Sequence, residues 1–330
     1  MTETTEMPAI RTFRSDAGAP LDPELRSIIA RFVVLAVLCA GVALLNENFL
    51  SVANFTNVLR QASLLFLIAA GATLVIIAGA IDLSVGAILT LSACVAAGVI
   101  HATGSSGLGI ATALAIGISA GLANGILVAG LRLPPFLVTY GMLWILSGGA
   151  LYYMGGIPIT GFPREFRFLG SGFLLGIPVP ILIMIATALA GSVVLHMTTV
   201  GQQMVMMGAN RAAATLAGIP VRRNLICVYV ASGACAGLAA VVALGRVNSA
   251  DPGMGDPLLL PSIAAILVGG TSLFGGTGTL LGTALGALLL TIVLNAMNLL
   301  TIGSAWQPFA TGIVLVGAML ADAFLNRRRS

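Results

Sequence analysis

Ten stretches of this chain are apolar enough, and close enough to about 20 residues, to cross a bilayer as helices. They fall near 30–46, 62–81, 84–101, 107–131, 136–155, 173–196, 224–245, 261–274, 279–300 and 306–325. With 58% hydrophobic and 8% charged residues, the composition excludes a soluble domain and disorder. The expected fold is all-α, a polytopic transmembrane helical bundle of about ten spans. The eighth stretch is short and ends in Gly269-Gly270 and Gly275-Gly276, which leaves a broken or partly spanning helix open.

Charge placement sets the orientation. All fifteen basic residues are Arg. With the N-terminus in the cytosol, Arg11, Arg14, Arg26, Arg31, Arg132, Arg211, Arg222, Arg223 and Arg327 to Arg329 lie inside. Only Arg60, Arg164, Arg167 and Arg246 lie outside, which satisfies the positive-inside rule. An even number of spans puts both termini in the cytosol. The net charge of +4 follows from this topology and is no nucleic-acid signal. The expected organisation is a cytosolic tail at 1–28, one transmembrane domain at 29–326 and a basic cytosolic tail at 327–330. The N-terminal tail lacks the apolar core and cleavage site of a signal peptide.

One polar interruption, residues 201–223, is distinctive. It contains Gly208-Ala-Asn210-Arg211-Ala-Ala-Ala-Thr-Leu-Ala217-Gly218-Ile219-Pro220. Ala is the best helix former. Gly218 can end a helix in a left-handed turn, and Pro220 stops it continuing. The pattern predicts a short cytosolic helix over 208–219, a handle for another protein.

Small residues recur at four-residue spacing in the spans. Gly117, Gly121 and Gly125 form one ridge, Gly278, Gly282 and Gly286 a second, and Gly233 with Gly237 a third. Such ridges let helix backbones approach closely in lipid, within one bundle or across a dimer interface. Ile76 to Gly86 also echoes Ile266 to Gly276 at a constant offset, as in transporters built from repeats.

Asp82 is the only acidic residue between Glu47 and Glu165. A carboxylate at membrane depth is costly and usually faces a cavity or a donor. Asp82 reads either as a pathway residue or, with Ser84, as a cap of the third span at its cytosolic mouth. Asn124, Thr139 and Asn295 are further polar residues within spans. His101 and His196 lie at span ends, and Cys39, Cys94, Cys227 and Cys235 read as small packing residues. Pro134-Pro135 marks a turn at the membrane edge. No P-loop, H-E-x-x-H or G-x-S-x-G motif is present, so the chain alone carries no ATPase or hydrolase site.

Four ordered segments carry a resemblance. Gly79-Ala-Ile-Asp-Leu-Ser-Val-Gly86, Asn124-Gly125 with Leu133-Pro-Pro-Phe-Leu-Val-Thr-Tyr-Gly141, the handle from Gly208 to Ile219, and Ile263 to Gly282 resemble signatures of bacterial ABC-importer permeases. Those permeases carry ribose, xylose, galactose and related sugars and are related to branched-chain amino acid permeases. The resemblance implies a pathway formed by two permease subunits, as a homodimer or heterodimer. It implies an ABC ATPase gripping the handle through Gly208, Asn210, Ala212, Ala213, Ala217, Gly218 and Ile219, and a periplasmic solute-binding protein delivering the substrate. The chain itself would bind no cofactor, with ATP and Mg on the partner ATPase. Asp82, Ser84, Asn124, Thr139 and Asn295 are the expected pathway or gating residues. The chain departs from the pattern at Leu259-Leu-Pro261-Ser, where acidic residues are usual, at Asn295-Ala296 and at Tyr140. The alternatives are a permease for branched-chain amino acids or another small solute, and a stand-alone secondary transporter.

Overall fold

The computed structural model describes residues 23–327. Residues 1–22 and 328–330, with Arg11, Arg14, Arg328 and Arg329 and most of the two expected tails, lie outside the described residues. Thirteen helices follow one another: α1 (Pro23–Leu45), α2 (Val52–Ile77), α3 (Val85–Thr103), α4 (Ser106–Gly125), α5 (Pro135–Met154), α6 (Arg164–Ser171) and α7 (Val179–Met197) form the first half. The second half comprises α8 (Thr199–Ala209), α9 (Arg211–Leu216), α10 (Val221–Val247), α11 (Leu259–Val268), α12 (Leu280–Leu299) and α13 (Gln307–Arg327). A π-helical turn, Ile126–Gly130, prolongs α4.

Among the described residues, seven helices are long and apolar enough to cross a membrane: α2, α3, α4 with its π turn, α5, α7, α10 and α12. Shorter apolar helices cover 31–45, 256–268 and 304–320. All ten expected stretches therefore hold a helix, and seven of these, among the described residues, meet both the length and the apolarity of a span. Their starts follow local chemistry. Ser51, Ser105, Thr198 and Thr279 each accept a hydrogen bond from a first-turn amide of the helix they precede. The Ser51 cap starts α2 ten residues before the expected position 62, because Asn54, Thr56 and Asn57 form polar opening turns.

α10 is the central helix, packed on α2, α3 and α4. The first and third glycine ridges meet each other there. A Cβ on Gly121 would collide with the Tyr229 carbonyl, and one on Gly233 with the Gly117 carbonyl. In the second ridge, Gly282 and Gly286 receive the backbone of α11 at Gly269 and Ala265. Gly278 falls outside α12, in the preceding loop at φ +158°. The ridges thus serve packing within the protomer.

Arg132, Arg211, Arg222 and Arg223 line one groove at the handle end. At the other end, Arg60 donates to the Ser171 carbonyl at 2.7 Å and Arg246 to Asn57 Oδ1 at 3.2 Å. That end also carries two-residue antiparallel ladders, β1 (Ile159–Thr160) with β4 (Ser249–Ala250) and β2 (Phe173–Leu174) with β3 (Ile177–Pro178). His101 and His196 sit in the last turns of α3 and α7. Cys94 is a buried packing residue, whereas Cys227 is exposed on the handle-end groove and packs no core.

Candidate functional site

The chain breaks between α2 and α3. α2 ends at Ile77 in a Schellman turn: Gly79 N–H bonds the Ile76 carbonyl, Ala80 N–H bonds the Val75 carbonyl, and Gly79 takes φ +75°. The next residues double back alongside α10. Gly71, six residues and roughly 9 Å before the end of α2, lies against Ser232, whose Cα would be 2.7 Å from a Cβ at position 71. Asp82 reaches the same Ser232. α3 therefore starts inside the bundle, and the expected position of Asp82 at a cytosolic mouth is corrected to one within the protein. The reversal at Gly79 causes this.

Asp82 is 2% exposed. Its Oδ1 accepts the Ser84 N–H at 3.0 Å and the Ser84 hydroxyl at 2.6 Å, and its Oδ2 accepts the Ser232 hydroxyl at 3.0 Å. Asn124 Nδ2 donates to Ser84 Oγ at 2.8 Å, while Asn124 Oδ1 is buried with no partner. The Tyr229 hydroxyl donates to the Ile81 carbonyl at 3.0 Å. Thr139 donates to the Pro135 carbonyl at 2.9 Å and stands 3.5 Å from the same Ile81 carbonyl. Asp82 thus closes an Asx turn onto the residue before α3. Ser84 precedes α3 with no side-chain bond to its amides, so the expected cap is replaced by a turn lock.

The structure brings Asp82, Ser84, Asn124 and Thr139 together but not Asn295. Asn295 exchanges side-chain bonds with Asn54 at 2.8 and 3.1 Å, near the start of α2. All four clustered side chains are buried: side-chain bonds link Asp82, Ser84 and Asn124, and Thr139 meets them through the Ile81 carbonyl. Ser232 and Tyr229 escaped the sequence reading. Their polar groups on one face of α10 were the available signal.

The handle is two helices rather than one. Asn210 is extended, at φ −155°, and its side chain accepts the Ala213 N–H at 3.0 Å, so α9 starts afresh at Arg211. Gly208 belongs to α8 and points into the protein. α9 ends in a second Schellman turn, with Gly218 at φ +78°, Gly218 N–H on the Thr215 carbonyl and Ile219 N–H on the Ala214 carbonyl. Ala214 is buried, Ile219 half-buried, and Asn210, Ala212, Ala213, Ala217 and Gly218 are exposed. Leu216 is 90% exposed, an apolar side chain left on a polar element. Beside α9 lies a groove of about 1100 Å³ edged by the four arginines, Pro134 and Pro135.

α11 ends as α2 does. Gly269, Gly270 and Thr271 bond back to Ala265, Leu267 and Ile266, with Gly270 at φ +82°. By hydrogen-bond pattern Gly79 corresponds to Gly270, one residue away from the pairing the sequence echo suggested.

Seven long apolar helices, a matching end turn on α2 and on the short α11, and an exposed handle at one end are features of a membrane transport subunit. The chain belongs to the family described as branched-chain amino acid transport system / permease component, whose pattern matches residues 54–320. It is 38% identical to the ribose import permease protein of Escherichia coli (strain K12), over 91% of this chain and 93% of that one. It is 35% identical to the L-arabinose ABC transporter permease protein of Azospirillum brasilense, over 90% and 88%. Against the autoinducer 2 import system permease protein of Enterobacter sp. (strain 638), identity is 34% over 92% and 88%. No solved structure matches the chain.

Proposed function

We propose that this chain is the inner-membrane permease subunit of an ABC importer, forming the path for a monosaccharide or similar small polar solute. The observation that carries this reading is the exposed α9 with Leu216 in a chain alike, over nine-tenths of its length, to permeases named for ribose and L-arabinose. An ABC ATPase covers α9, and a periplasmic binding protein delivers the solute at the opposite end. ATP and Mg sit on the ATPase, and this chain binds no cofactor. Ten spans with both termini in the cytosol fit the segregation of the arginines. A second copy of the chain completes the path as a homodimer.

The Asp82 knot serves gating in this reading. It pins the break to α10 through hydrogen bonds, and the unpartnered Asn124 Oδ1 leaves one buried acceptor for a second state to satisfy. A stand-alone secondary transporter is disfavoured, because the donors to Asp82 are two hydroxyls and a backbone amide, an uncharged setting unlike an ion-coupling site.

The family description favours one second reading, a branched-chain amino acid. Calorimetry on the cognate binding protein separates the two. Binding of ribose or L-arabinose without leucine supports the sugar, and binding of leucine alone overturns it.

A further inference from the structure

Four glycines bring three distant segments into backbone contact beneath the handle. A Cβ on Gly208 would collide with the Ile77 carbonyl and lie 2.7 Å from the Gly276 amide nitrogen. One on Gly79 would lie 3.2 Å from Gly208 Cα, and one on Gly275 2.9 Å from Gly79 Cα. One on Gly276 would lie 2.9 Å from Ala209 Cα. The Gly276 N–H bonds the Ile77 carbonyl at 2.9 Å. The end of α2, the loop after α11 and the last turn of α8 therefore touch backbone to backbone, with the Ala209 methyl the one side-chain atom among these contacts.

We propose that Gly208, Gly79 and Gly276 form a joint that passes movement of the handle to both interrupted helices. Side chains absorb small displacements by changing rotamer, and bare backbone in close-packed contact cannot. Around the joint, Met204 and Met207 of α8 and Ala214 of α9 share one buried cluster with Ile77, Ala78, Ala80 and Tyr229. Asp82 follows Gly79 by three residues, and Tyr229 holds the Ile81 carbonyl between them. The handle thus meets its own chain through α8 and Ala214, while the exposed face of α9 is left for the partner. Gly208 is a positioning residue facing inward, not part of the ATPase contact that the resemblance implied. This inference rests on the importer reading above.

The test uses the complete complex, with cognate ATPase and binding protein, in proteoliposomes. Gly208→Ala should bind the ATPase as the native chain does and hydrolyse ATP within twofold of it, yet import at least tenfold less solute per ATP. Ala213→Glu, on the exposed face of α9, should instead lose the ATPase. Import per ATP within twofold of native in Gly208→Ala overturns the joint. Should that variant fail to assemble, hydrogen exchange on the native complex decides. The Gly276 amide should stay protected in both nucleotide-free and ATP-trapped states, and its exposure in either overturns the joint. A native complex that imports no solute overturns the importer reading and the joint with it.

Discussion

The Ser232 hydroxyl donates to Oδ2 of Asp82 at 3.0 Å, tying the middle of α10 to the break between α2 and α3. Together with the two bonds from Ser84, it leaves each carboxylate oxygen with a donor and no cation. Three hydrogen bonds to Asp82 hold the break. Asp82→Ala should strand three donors and cost about 3 kcal/mol, seen as a lower thermal midpoint in detergent. Asp82→Asn keeps Oδ1 as acceptor and offers Ser232 an amide. It should stay within about 1 kcal/mol of native and import at a near-native rate. A tenfold loss of import at an unchanged midpoint would give the charge itself a role.

Leu216 should be the apolar anchor of the handle. Leu216→Ala should weaken ATPase binding about tenfold, since burying the lost methylenes is worth about 1–2 kcal/mol. The isolated permease should be unchanged, because the side chain is exposed in it. Titrating labelled ATPase against the variant in nanodiscs gives the number, and an unchanged affinity removes Leu216 from the interface.

The glycine ridges make a sharp contrast. Gly233→Ala should lower stability by about 1–3 kcal/mol, as overpacking does, because its methyl meets the Gly117 backbone. Gly148→Ala has nothing within 4 Å and should change stability by less than about 1 kcal/mol. Thermal unfolding of the two purified variants checks both.

Orientation is testable by single cysteines in a background without native ones. Leu175→Cys, in an exposed hairpin tip, should react with an impermeant thiol reagent in cells with a permeabilised outer membrane. Thr215→Cys, exposed on α9, should react only after lysis. The reverse pattern would invert the topology.

The spans were legible in the sequence because lipid demands length and apolarity, and each expected stretch holds a helix. The start of α2 was missed since Asn54, Asn57 and Arg60 make its opening turns polar. The depth of Asp82 was not legible, because it depends on a reversal at Gly79 that brings residues 150 apart, Asp82 and Ser232, together. The split of the handle was within reach, since Asn210 is a strong N-cap residue. Gly208 was grouped with the handle's outer face because sequence spacing does not say which way a helix turns its small residues. Asn295 joined the polar set by residue type alone, and its partner Asn54 lies 241 residues away.

The most direct measurement is uptake of radiolabelled ribose and L-arabinose by proteoliposomes holding this chain with its ATPase, with binding protein outside and ATP inside. The account predicts uptake of at least one sugar that requires both ATP hydrolysis and binding protein. Uptake of these sugars by the chain alone, driven by an ion gradient and indifferent to ATP, would contradict it.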